Sequence, residues 1–140
     1  MIKASMKPNK WILILSILLL SLNVHGQKKR DKLLNNPKFE WVVDSISTDL
    51  ILYYEKNSFS EKNVEVLKLN ITQQLRSTLN FIGVEVFDKP IHYFIVENRD
   101  KMKLLVGYTT NGTANPKDNY ITGIFSSNIK SVYANHELFH

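Results

Sequence analysis

Apolar residues recur at three- and four-residue steps over Val64, Leu67, Ile71, Leu75, Leu79 and Ile82, the spacing that turns one stripe of a helix toward a core. Lys68, Gln73 and Arg76 fall elsewhere on that surface. Ser58 and Glu61 stand ahead of the stripe with capping-box spacing, and Gly83 follows it as a natural C-cap. This pattern predicts a helix of roughly twenty residues backing a sheet.

Elsewhere the period changes. Phe39 to Ile46 and Leu50 to Tyr54 are rich in β-branched and aromatic residues and predict one or two strands, with Ser45 to Asp49 as a bend. Val84 to Phe87 reads as a short extended piece. Ile91 to Val96, introduced by Pro90, is a nearly continuous apolar run, as in a central strand buried on both faces. Lys101 to Val106 reads as a short helix capped by Asn98 or Asp100 and ended by Gly107. Tyr108 to Asn119 is polar and loop-like, with Asn111-Gly112 and Asn115-Pro116 as turn signals. Tyr120 to Phe125 is a strand by composition, and its Gly123 marks a bulge or a close backbone approach. Ser126, Ser127 or Asn128 then caps a last helix with apolar residues on both faces, among them Ile129, Tyr133 and Leu138. The expected fold class is α+β: a small mixed sheet, a backing helix and a carboxyl-terminal helix.

The amino-terminal quarter stands apart from that pattern. Lys3, Lys7 and Lys10 precede the apolar run Trp11 to Leu22, and Val24 and Gly26 are small residues at the −3 and −1 positions of a signal-peptidase site. Residues 1–26 are therefore expected to be a signal peptide cleaved after Gly26, with Met6 as an alternative start. The run is too short for a spanning helix of ~20 residues, so no stable membrane anchor is expected once the signal is removed. Residues 27–38 are polar and charged and read as a leader with at most one helical turn, ahead of a domain at 39–140. The product is expected to be secreted or periplasmic. It has no cysteine, so no disulfide staples it.

Export also changes the charge picture. The whole chain carries +5; three basic residues and no acidic one leave with the signal, so the remainder carries +2. The one dense basic cluster, Lys28, Lys29, Arg30 and Lys32, falls in the leader. A nucleic-acid partner is not expected on that balance.

The chemistry is concentrated in His136-Glu137-Leu138-Phe139-His140. Two imidazoles four residues apart on a helix differ by about 40° in azimuth and ~6 Å in rise, so both can face one ion. Glu137 between them can reach a water on that ion and take its proton, which is the H-E-x-x-H mechanism of a zinc peptidase. With 4 His among 140 residues, chance would produce such a pattern in roughly one chain in two hundred. Expected metal ligands are thus His136 and His140, the catalytic base is Glu137, and the cofactor is Zn²⁺. Tyr133 shares the metal face and is read as packing. His92 lies inside an apolar strand, where a lone histidine is more often a hydrogen-bonded core residue than a third ligand.

The order of elements ending in that motif resembles the amino-terminal lobe of zincin metallopeptidases, of the gluzincin, peptidase-MA-like type. The resemblance covers nearly the whole chain after Gly26 in organisation, and only Asn135 to His140 in specific motif. It implies hydrolysis of peptide bonds in a peptide or protein substrate. It also implies a cleft edge formed by the strand before the active-site helix, with substrate pairing along Tyr120, Ile121, Thr122, Gly123 and Ile124, assisted by Tyr108 to Asn111. In that family a second, helical lobe supplies a glutamate ligand and a transition-state donor. The 140-residue chain, with two ligands of the usual three, is accordingly expected to be an inactive, weakly zinc-binding fragment of a longer enzyme. The rival reading is an exported non-enzymatic binding domain with an accidental or decayed motif.

Overall fold

The computed structural model describes residues 29–83 and 88–129. The fold is α+β, with one five-stranded mixed sheet in the order β1-β2-β3-β5-β4. Its elements are a helix over residues 29–34 (α1), then β1 (Trp41–Ser47), β2 (Leu50–Glu55), α2 (Phe59–Lys62), α3 (Val64–Ile82), β3 (Ile91–Val96), α4 (Arg99–Val106), β4 (Gly112–Asn115) and β5 (Tyr120–Ile124). β1 pairs antiparallel with β2, β2, β3 and β5 run parallel, and β4 returns antiparallel on β5. Among the described residues no helix is long and apolar enough to cross a membrane.

Two cores follow from the two-residue alternation of the strands. On one face Leu50, Leu52, Tyr54, Tyr93, Ile95, Ile121 and Phe125 pack against Leu67, Ile71, Leu75 and Leu79 of α3. Those four are the centre of the stripe predicted from sequence. On the other face Tyr53, Phe94, Val96, Tyr120 and Ile124 pack with Phe39, with Met102 and Leu105 of α4, and with Leu33 of α1. β3 contributes to both cores, as a central strand flanked by helices must.

Local chemistry fixes the ends. The Ser58 hydroxyl accepts from the Glu61 amide, while the Glu61 carboxylate reaches back one residue further, to the Asn57 amide. Asn63 interrupts the predicted helix start, ending α2 and opening α3. Gly83 closes α3 in the left-handed region, at φ 71°, where its amide donates to Leu79, a conformation that costs a residue with a Cβ about 1 kcal/mol or more.

Three expectations are corrected. The leader is more than a polar tail: α1 brings Leu33 into the second core at 6 % exposure, and the Trp41 indole donates to the Leu33 carbonyl at 3.1 Å. The stretch Tyr108 to Asn119 is not all loop, since Gly112–Asn115 forms β4. An Asn115 side chain that accepts from the Asp118 amide, followed by Asn119 at φ 51°, turns the chain into β5. The third correction follows from the second and concerns the sheet edge.

Candidate functional site

The strand Tyr120–Ile124 was expected at the cleft edge. It forms as a strand, but β3 pairs with it on one side and β4 on the other, so its backbone groups are already committed. All five residues Tyr120, Ile121, Thr122, Gly123 and Ile124 are buried. The edge belongs instead to β4, which is half-buried and has a strand partner only along β5 among the described residues. An unpaired antiparallel edge of this kind is a template for an extended peptide. The assisting segment places Tyr108 beside it, with its hydroxyl donating to Thr113 at 3.1 Å. No hydrophobic alternation announces Gly112-Thr113-Ala114-Asn115 in the sequence. The turn signal at Asn115-Pro116 was the one available hint that a hairpin precedes β5.

At the carboxyl ends of the parallel strands lies an ionic cluster. The Lys101 ammonium donates to Glu55 at 2.8 Å and to Glu97 at 3.2 Å, and the Phe59 amide donates to the other oxygen of Glu97. That backbone hydrogen bond, ahead of the Lys101 contact, holds the Glu97 carboxyl below its ordinary range. Burial alone would lower Lys101; the hydrogen bonds to Glu55 and Glu97 outweigh it and leave the ammonium raised. The cluster thus ties β2, α2, β3 and α4 together, one ammonium being shared by two carboxylates. Next to it an open cleft of about 520 Å³ is lined by Asn98, Arg99, Asn111, Ser126, Asn128 and Ile129. Crevices outside the carboxyl ends of parallel strands are where open α/β sheets bind ligands. Here Arg99 is held toward the loop by donating to Asn111 at 2.8 Å.

His92 is half-buried at the start of β3 and is held by hydrogen bonds. Arg30 reaches its Nε2 at 3.1 Å, and Tyr53 lies 2.8 Å from its Nδ1. With both ring nitrogens engaged it has no lone pair for a metal. Among the described residues no three His, Cys, Asp or Glu side chains come together as a metal site. The residues expected to carry the chemistry, His136, Glu137 and His140, lie outside the described residues, as do Tyr133, the predicted strand Val84 to Phe87 and the signal segment 1–26.

Compared with known proteins, the chain matches no family model, no curated protein and no solved structure.

Proposed function

We propose that the protein is the amino-terminal lobe of an exported zinc-dependent metallopeptidase, as its sequence motif suggests. One observation carries this reading: the run His136-Glu137-Leu138-Phe139-His140, which combines two imidazoles at ligand spacing with a carboxylate at the position of a general base. The donor set suits zinc, because a catalytic site takes neutral imidazoles and keeps a position for water. The fold is compatible with it. β5 precedes the motif in sequence, and among the described residues β4, beside β5, has an edge with no strand partner.

In this reading His136 and His140 hold the ion. A zinc ion held there would supply Lewis acidity toward a peptide carbonyl and a water molecule. Glu137 would accept the proton of the attacking water and deliver it to the departing amine, a general base that becomes a general acid. The β4 edge, rather than Tyr120–Ile124, aligns the extended substrate by backbone pairing. Cleavage after Gly26 precedes all of this and releases the lobe from its signal.

Equilibrium zinc titration of the chain and of the variant with both His136→Ala and His140→Ala tests the assignment. The substituted chain is expected to lose at least roughly tenfold in zinc affinity, as loss of metal-site residues ordinarily costs. Equal affinity in the two proteins would remove the motif from metal binding and leave an exported binding domain, with the β4 edge and its neighbouring cleft as the contact surface.

A further inference from the structure

The basic leader and the half-buried histidine of β3 are both unexplained by peptide hydrolysis, and they meet. We propose that α1 is an acid-released strap: it is docked on the sheet through Arg30, His92 and Tyr53 while His92 is neutral, and protonation of His92 undocks it and uncovers the aromatic face beneath.

The hydrogen-bond directions carry this. A guanidinium can only donate, so Arg30, 3.1 Å from His92 Nε2, requires that nitrogen to be an acceptor. The ring proton is then on Nδ1, donated to the Tyr53 hydroxyl at 2.8 Å. Adding a proton to Nε2 replaces a hydrogen bond with two donors facing each other, both positively charged. Among the described residues the buried Nε of Arg30 has no hydrogen-bond partner of its own.

The surroundings give the new charge little relief. Of the charged groups acting on His92, Arg30 and Asp31 both come from α1. β2 presents Tyr53, and β5 presents Tyr120, its partner in the sheet register. Asp118 acts on Tyr120 rather than on the imidazole. Burial first, and then Arg30, hold the imidazole below its ordinary pKa, with only Asp31 opposing them.

The sign follows from linkage. The docked state has the lower pKa, so docking is at full strength above the undocked value of about 6.5 and weakens as pH falls below it, by up to about tenfold per pH unit until the docked ring itself is protonated. What α1 covers is an aromatic array. Phe39 stacks on Trp41 at 5.0 Å, Trp41 meets Phe94 edge-on at 5.5 Å, and Phe94 stacks on Tyr53 at 4.5 Å.

Backbone hydrogen exchange of the full chain, followed at pH 7.5 and pH 5.5 and corrected for intrinsic rates, tests the strap. Protection over residues 29–36 is expected to fall by up to about tenfold between the two conditions, with α3 unchanged. In His92→Gln, which offers an acceptor but cannot be protonated, the fall should vanish. Arg30→Gln, which retains a donor without its charge, should shrink it and serves if His92→Gln does not fold. Protection of 29–36 that is the same at both pH values, an undiminished fall in either variant, or a parallel fall in α3 would overturn the proposal.

Discussion

Phe94→Ala is expected to lower folding stability by about 3–5 kcal/mol, the cost of removing a fully buried aromatic ring and leaving a cavity. Phe94 has no exposed surface and is ringed by other aromatics: stacked on Tyr53 at 4.5 Å, and edge-on to Trp41 at 5.5 Å and Tyr120 at 6.2 Å. Its neighbours come from β1, β2 and β5, so a void there cannot close by shifting one side chain. For a domain whose total stability is roughly 5–15 kcal/mol, that loss is a large share. Urea unfolding should show a lower midpoint at an unchanged slope. Leu69→Ala is the control: Leu69 is 57 % exposed on the outer face of α3 and should cost less than about 0.5 kcal/mol. Equal losses at the two positions would mean that the second core is not packed as described.

Glu137→Gln is expected to reduce peptide hydrolysis by about 10²–10⁴-fold, the usual contribution of a positioned general base, in a form of the protein with measurable turnover. The amide keeps the size and much of the hydrogen bonding of the carboxylate but cannot accept the water's proton at neutral pH. Zinc affinity should be unchanged, because the proposed ligands are the flanking imidazoles. The separation of the two readouts is what identifies the role. Turnover and zinc lost together would make Glu137 a structural or ligating residue, and undiminished turnover would remove it from the mechanism.

Much of the scaffold was legible because its signals are local. The α3 stripe works as periodicity requires, with Leu67, Ile71, Leu75 and Leu79 buried; Ile82, its last member, is 43 % exposed at the end of the helix. The apolar run of β3 marked the strand that feeds both cores. Asn98 capped α4 through its side chain, accepting from the Lys101 amide, as its type and place foretold.

What was not legible depends on partners distant in sequence. β4 has neither β-branched density nor alternation and exists because Gly112 to Asn115 pair with Tyr120 to Gly123. Without that hairpin, β5 is naturally taken for the edge. α1 was hidden by composition: among charged residues only the pair Leu33-Leu34 is apolar, Leu33 entering the second core with Leu34 packed against it, and Arg30 and Trp41 add hydrogen bonds. For the site, His92 is hydrogen-bonded to Arg30 and Tyr53 as expected, but it is half-buried rather than a core residue. The edge-strand residues could not be placed by composition alone, because a buried strand and an edge strand of this length share the same residue types.

His136 and His140 are proposed to hold a zinc ion jointly. X-ray absorption at the zinc edge of the zinc-loaded protein reads the ligands directly. Two imidazole nitrogens at about 2.0–2.1 Å are expected, with their outer-ring scattering lost when His136 and His140 are both replaced by alanine. A first shell without imidazole, or a spectrum unchanged by those replacements, would contradict the proposal.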